Sequence, residues 1–457
     1  MWKNKPLRSF WLILLVWYTE ARAQNALLTI NEAALIAGSV SVTPGGYNYD
    51  PGLLSLLTNI MVKGNGDLVS GTNGTLPLTK FTATYVKGTT VGNTIALNTT
   101  TNQSLTSELL SALRLTGGPF TVKYEAPNLA ATAWEAGTYS NTLAYSLASI
   151  NVGASVTPAQ ATMTVVVDPL IKESSAPGNI ALVVNDLKYF RNTTLEVYNA
   201  FQLRHTVPVQ VGLAANTAQL AFANGYTGVA DPQTTVGKIQ VQMTGSAVRL
   251  TTTSQQLVAN ALVPVGNKTN FSTRVFIDPS DLKTAFINKG NYTTTVTLQG
   301  VNASGQAATY NKVLNLAVTV NDLSEFNLFT TALTLPFQTA ADYKNGITKD
   351  LSNHLQVSKT TPYDISVKAQ AADFITTGSA ATLPVSILEL SAADGQTDVN
   401  TISALSTTDQ LLVSGALPAV DRYFNIRYRI PPSRTQYLIN KPAGTYTAVL
   451  NYTLTAH

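Results

Sequence analysis

The chain has 457 residues, of which 12% are charged and none is cysteine, and its formal net charge is +4. The charged share is about half that of an average soluble domain, and the length suits roughly three domains of about 150 residues. With no cysteine, a disulfide scaffold, a cysteine-ligated zinc site, a thiol nucleophile and a lipidated cysteine are all excluded.

Lys3, Lys5 and Arg8 precede the apolar run Phe10–Trp17, and Ala21-Arg22-Ala23 follows. A basic stretch, a short apolar stretch and small residues in that order predict a secretory signal over residues 1–23. The apolar run is too short for a permanent membrane anchor. Lys3, Lys5, Arg8 and Arg22 against Glu20 give the segment a net charge of +3, which leaves about +1 for the chain after cleavage. Such a chain has no basic field to neutralise phosphates, so nucleic acid is not an expected partner. No second apolar run of about 20 residues follows, so no transmembrane segment is expected after cleavage.

The segment from Asn25 to Thr43 puts Ile36, Val40 and Val42 on one face around Gly38. It reads as the first strand of a β-rich unit, with a donor strand for another subunit as the alternative. Tyr47 and Tyr49 lie in the turn-like stretch Gly45-Gly46-Tyr47-Asn48-Tyr49-Asp50-Pro51. They are the candidate ligand loop, because exposed tyrosines stack on sugars or fill a partner's pocket. Partial burial at a unit's end is the other reading. Short helices or turns are expected at Leu105 to Leu115 and at Asp281 to Ile287.

Internal comparison is more informative. Gly137-Thr138-Tyr139, Gly290-Asn291-Tyr292 and Gly444-Thr445-Tyr446 recur at nearly constant spacing. Apolar residues follow each Tyr at +4 and +6: Leu143 and Tyr145, Val296 and Leu298, Leu450 and Tyr452. Leu147 and Leu454 add a +8 position. A period of two marks a half-buried strand. Other segments repeat in step, such as Leu250–Gln255 with Leu405–Gln410 and Val275–Ser280 with Tyr428–Ser433. Thr, Val, Tyr and Ile dominate between Gly-, Asn- and Pro-rich turns, which argues for many short strands. The predicted fold is all-β: three tandem Ig-like or pilin-like antiparallel β-sandwich units, at 24–168, 169–321 and 322–457. The first two units continue past the Gly-x-Tyr strand through Ala161–Val167 and Leu314–Val320. The third stops eleven residues after Tyr446. The third unit is therefore expected either to lack its last strand, leaving an open edge, or to be closed, with the extra run belonging to the linker or to the next unit.

A C-terminal strand that opens on Gly-x-Tyr and alternates to the last residues resembles the subunits of chaperone–usher pili, especially the spore-coat-U-like fimbrial group. The matching positions are Gly444, Tyr446, Leu450, Tyr452 and Leu454. The resemblance implies a subunit whose missing strand is donated by a periplasmic chaperone and then by the neighbouring subunit. This chain departs from the family in having three units, in lacking a disulfide, and in closing on Ala456-His457.

No pattern carries catalysis. His205 faces Lys359 and His354 faces Ala200 across the repeat, so neither histidine is kept, and no Gly-x-Ser-x-Gly elbow occurs. Asp278 and Asp281 flank a turn and read as turn chemistry. Catalytic, cofactor and metal sites are all expected to be none. The resulting expectation is a non-enzymatic exported protein of the Gram-negative envelope, in the periplasm, at the cell surface or outside the cell. It would be structural or adhesive, a fimbria-like subunit or tip, with a chaperone or neighbouring subunit, or a glycan or other surface ligand, as partner. The alternative is a secreted carbohydrate-binding protein.

Overall fold

A computed structural model describes residues 25–52, 58–106, 117–148, 153–224, 230–305, 307–393 and 395–456. The expected signal segment and most of Leu105 to Leu115 lie outside these residues. Among the described residues, each sheet draws its strands from one of three spans, 25–167, 171–320 and 324–456, called here units 1, 2 and 3.

In unit 1 one sheet runs Asn25–Ile30, Gln160–Val167, Gly137–Leu147, Ile60–Gly64, Gln103–Ser104. The facing sheet runs Ser155–Thr157, Tyr47–Asp50, Gly118–Ala126, Thr82–Lys87, Thr90–Ala96. Unit 2 repeats the plan. Ile180–Val184, Thr309–Val320, Gly290–Asn302, Val209–Ala215 and Gln255–Ala261 form one sheet. Ile171–Ser175, Leu195–His205, Lys268–Ile277, Gln240–Gln242 and Val248–Arg249 form the other. Alternation builds these layers: along Gln160–Val167 the inward residues Ala161, Met163, Val165 and Val167 are buried, as are Leu314, Leu316, Val318 and Val320 along Thr309–Val320. Most strand pairs are antiparallel. In both units the exception is the first strand of the Gly-x-Tyr sheet, which runs parallel to the last.

Unit 3 has a sheet of Ser324–Leu328, Ile347–Lys359, Ala419–Ile430 and Glu389–Ala392. Opposite it are two short sheets, Gln410–Ala416, Tyr363–Ala369, Leu450–Ala456 and Thr382–Pro384, Asp373–Thr376, Tyr446–Thr447. The three spans have three separate apolar clusters. Ala136 from the end of unit 1 and Val420 from unit 3 pack into the cluster of unit 2.

Two expectations change. The segment from Asn25 to Thr43 is not one strand. Asn25–Ile30 is a strand with Ala26, Leu28 and Ile30 buried, and Glu32–Ala37 is a helix. The Oδ1 of Asn31 accepts the N–H of Ala34 at 3.0 Å, and Gly38 ends the helix at φ +80°. Ile36 is on this helix and exposed, so it shares no strand face with Val40 and Val42. At Asp281 to Ile287 the helix begins earlier, spanning Pro279–Ala285, because Pro279 suits a first helical position.

Candidate functional site

The Gly-x-Tyr motif is a tyrosine corner built three times. The hydroxyl of each Tyr donates to the carbonyl four residues back: Tyr139 to Glu135, Tyr292 to Asn288, Tyr446 to Pro442, each at 3.0 Å. This bond pins the turn through which the chain enters the strand. The glycine allows a close neighbour. A Cβ at Gly290 would stand 2.6 Å from the carbonyl oxygen of Ala223, and one at Gly444 would stand 3.1 Å from Oγ1 of Thr376.

In units 1 and 2 the strand from this corner has a neighbour on each side. Gly137–Leu147 lies between Gln160–Val167 and Ile60–Gly64, and Gly290–Asn302 lies between Thr309–Val320 and Val209–Ala215. The covering strand has the same register in both. Val167 is opposite Gly137 and Val165 opposite Tyr139; Val320 is opposite Gly290 and Val318 opposite Tyr292. The covering strand is held on its other edge by the parallel first strand, where Ile180, Leu182 and Val184 pair with Leu316, Val318 and Val320.

In unit 3, Leu450–Ala456 pairs with Tyr363–Ala369, and Tyr446–Thr447 pairs with Asp373–Thr376. Among the described residues, no strand pairs on the other side. Tyr446, Leu450, Tyr452 and Leu454 are half-buried, whereas Tyr292, Val296 and Leu298, the counterparts of the first three in unit 2, are buried. Gly444 is exposed at the start of this edge. The five expected edge residues therefore lie along one uncovered margin.

The opposite margin was not foreseen. Leu333, Leu335 and Phe337 stand 153 residues after Ile180, Leu182 and Val184. They repeat the inward alternation, half-buried and packed against the core of unit 3, but in a segment with no strand partner among the described residues. Pro336 lacks the N–H that a paired strand would offer at that position. The sequence signal was the constant offset, hidden because the segment has only three apolar positions.

Beneath the margin lies a chain of three polar side chains. Tyr452 bonds through its hydroxyl to Tyr428, and the Tyr428 hydroxyl is 2.7 Å from Nε2 of His354. His354 is 2% exposed, and its Nδ1 has no hydrogen-bond partner among the described residues. Burial pushes its pKa down to about 4, so the ring is neutral at pH 7. Burial pushes the Tyr428 hydroxyl up to about 12, and burial with Tyr428 beside it raises the Tyr452 hydroxyl well above its ordinary value.

Tyr47 and Tyr49 are not on an exposed loop. They alternate along the strand Tyr47–Asp50 with rings 0% and 7% exposed. The Tyr47 hydroxyl bonds to Tyr124 at 2.6 Å, and the Tyr47 ring stacks on Phe120. The reason is pairing: Gly118–Ala126 and Ser155–Thr157 bond the segment on both sides, so its alternate side chains face the core. Asp281 accepts from Lys238 and Arg249 at 2.9 Å each. Burial would raise its pKa, but the two cations hold it below the usual carboxylate range. No group of three or more His, Asp or Glu that could hold a metal ion occurs among the described residues. No helix among them is long and apolar enough to cross a membrane.

No family profile and no curated sequence matches the chain. Similar solved structures include the CupB6 tip adhesin from Pseudomonas aeruginosa, at 10% identity and a TM-score of 0.26, with 62% of this chain and 90% of that one covered. CfaE, the adhesive subunit of the CFA/I fimbria of enterotoxigenic Escherichia coli, gives 10% and 0.27, with 65% and 97% covered. The CsuC–CsuE chaperone–tip adhesion subunit complex of Acinetobacter baumannii gives 11% and 0.29, with 62% and 99% covered. The fold itself is all-β, with antiparallel sandwiches.

Proposed function

We propose that this is an exported, non-enzymatic structural or adhesive protein, a fimbria-like subunit or tip, divided into sandwich units at 24–168, 169–321 and 322–457. It accepts a strand from a chaperone or neighbouring subunit at Gly444, Tyr446, Leu450, Tyr452 and Leu454. One observation carries the reading. Two apolar rows flank a covering strand in units 1 and 2; in unit 3 the counterparts of both rows are half-buried and, among the described residues, neither pairs with a covering strand. Main-chain hydrogen bonds would supply the affinity, and alternate side chains the register. By repeat, the incoming strand runs antiparallel to Leu450–Ala456.

The segment Asn25–Ile30 is committed to unit 1, where it pairs with Gln160–Val167. It is therefore a poor model for the donor, and Thr309–Val320 is the better one. A free peptide of that sequence should raise the calorimetric melting temperature of unit 3 and slow amide exchange over residues 446–454. Unchanged exchange at saturating peptide counts against strand addition. The glycan reading loses its residues, since Tyr47 and Tyr49 are in the core.

A further inference from the structure

The two junctions between units share one clamp. A leucine just beyond the covering strand donates its N–H to the hydroxyl of a fully buried threonine, Leu170 to Thr206 and Leu323 to Thr360, at 2.9 Å each. That hydroxyl donates to a linker carbonyl, Thr206 to Asp168 at 2.6 Å and Thr360 to Asn321 at 2.8 Å. The threonine carbonyl accepts an N–H from the preceding unit, that of Ala136 at 2.7 Å and that of Lys289 at 2.8 Å. Each junction also has an apolar plug in the core of unit 2, Ala136 at the first and Val420 at the second. Clamp and plug together form a pivot. The contacts beside it fix the angle, and there the two junctions differ.

At the first junction those contacts are uncharged. Gly266 donates its N–H to the carbonyl of Thr132 at 3.1 Å, and the buried side chain of Asn267 bonds both the N–H and the carbonyl of Trp134. At the second they are charged. Asp421 stands 154 residues after Asn267 and shares its left-handed backbone, at φ +56° against +58°. The carboxylate of Asp421 accepts from Nη2 of Arg191 at 2.8 Å, and the same nitrogen donates to Glu325 at 2.8 Å. Arg191 ends the helix Lys188–Arg191 of unit 2, whereas the unit 1 helix Glu32–Ala37 has no basic residue in its last turn. The linker residue Asp322 pairs with Lys289 of unit 2 and Lys359 of unit 3, at 3.3 Å each. The residues 153 or 154 positions before these three are Pro169, Ala136 and His205. Burial lowers the pKa of His205, so that ring is neutral at pH 7. Among the described residues no ion pair crosses the first junction, while Arg191–Glu325 and Arg191–Asp421 cross the second.

We infer that the second junction is a salt-sensitive hinge: units 1 and 2 move as one arm, and an ionic latch centred on Arg191 holds unit 3 to that arm until added electrolyte releases it. The physical ground is screening. The side chains of Arg191, Glu325 and Asp421 are 33%, 34% and 25% exposed, so solvent ions reach the latch. The screening length falls from about 10 Å at 0.1 M salt to about 3 Å at 1 M. The contacts of Asn267 join neutral groups away from water, and electrolyte leaves them intact. The same left-handed turn therefore welds one junction and latches the other. Unit 3 can change direction on its pivot without any unit unfolding. The hinge is independent of strand addition at unit 3.

Because the chain has no cysteine, paired cysteines can carry spin labels without background. Ser140, Asn311 and Ser414 are exposed and lie in units 1, 2 and 3. The pair Ser140→Cys with Asn311→Cys reads the first junction, and Asn311→Cys with Ser414→Cys reads the second. Between about 0.05 M and about 1 M NaCl, the distance distribution at the second junction should broaden about twofold, while that at the first keeps its width. Arg191→Met should give the broad distribution at the second junction already at low salt. Arg191→Lys, which keeps one charge, should give an intermediate width. The salt series on the parent chain needs no substitution at the latch, so it decides even if a variant folds poorly. A second junction whose width does not respond to salt overturns the inference. Equal broadening at both junctions overturns it too, as does a folded Arg191→Met chain as narrow as its parent at low salt.

Discussion

Asn267 offers a sharp test of how the units are joined. It is 0% exposed and sits at φ +58°, a left-handed conformation that asparagine tolerates better than most residues. Its Oδ1 accepts the N–H of Trp134 at 3.2 Å, and its Nδ2 donates to the carbonyls of Trp134 at 2.8 Å and His205 at 2.9 Å. Asn267→Gly keeps the backbone geometry but leaves those three main-chain groups without partners where water is excluded. Each buried unsatisfied group costs about 1–3 kcal/mol, and such losses add incompletely, so the expected destabilisation is roughly 3–5 kcal/mol. Asn267→Ala should be worse by about 1–2 kcal/mol, because a Cβ disfavours the left-handed region. The assay is urea unfolding of the chain without residues 1–23, followed by tryptophan emission. The other tryptophans, Trp2, Trp11 and Trp17, are removed with that segment, so Trp134 reports alone. A glycine variant within about 1 kcal/mol of the parent, or an alanine variant no worse than glycine, would refute the account of this junction.

The His354 ring sits neutral in the folded core with a pKa of about 4, below its ordinary 6.5. The unfolded chain therefore takes the proton first, and unit 3 should lose roughly 3 kcal/mol as pH falls from 6.5 through 4. Calorimetry across that range should show the loss flattened in His354→Gln. Leu316 is fully buried in the covering strand of unit 2, so Leu316→Ala should cost about 2–5 kcal/mol by denaturant unfolding. Leu450→Ala, at a half-buried site, should cost clearly less in the chain alone and approach the Leu316 value in a chain extended after Ala456 by a copy of residues 150–167.

The parts of this architecture that were legible in the sequence are those where a period of two meets a constant offset. Gly-x-Tyr with its trailing apolar positions located the corner strands. The runs Ala161–Val167 and Leu314–Val320 pointed to a covering strand, which has no counterpart paired with Leu450–Ala456 among the described residues. What stayed hidden depends on partners distant in sequence. The alternation of Tyr47 and Tyr49 is only two residues deep, too short to separate a strand from a turn until Gly118–Ala126 is seen beside it. The helix at Glu32–Ala37 was readable in principle, from Asn31 at its start and Gly38 at its end, but the β-branched residues around it suggested extended chain. Thr206 and Thr360 look like ordinary strand threonines, and only their 0% exposure and their bonds to the linkers reveal the clamp.

The way the covering strand is supplied sets what any binding measurement on unit 3 must overcome. In unit 2 that strand begins at Thr309, soon after the corner strand ends at Asn302. Closing so short a loop is entropically cheap, and a tether of this kind acts at an effective concentration in the millimolar range. A free peptide of the same sequence has no such advantage and must also lose its own chain entropy on docking, about 1–2 kcal/mol per ordered residue. The peptide must therefore be supplied at millimolar concentration to match the tether. Appending residues 150–167 after Ala456 avoids this cost, because it supplies the tether that units 1 and 2 possess. If the margin accepts a strand at all, protection of residues 446–454 must appear in that chain, at a level independent of protein concentration.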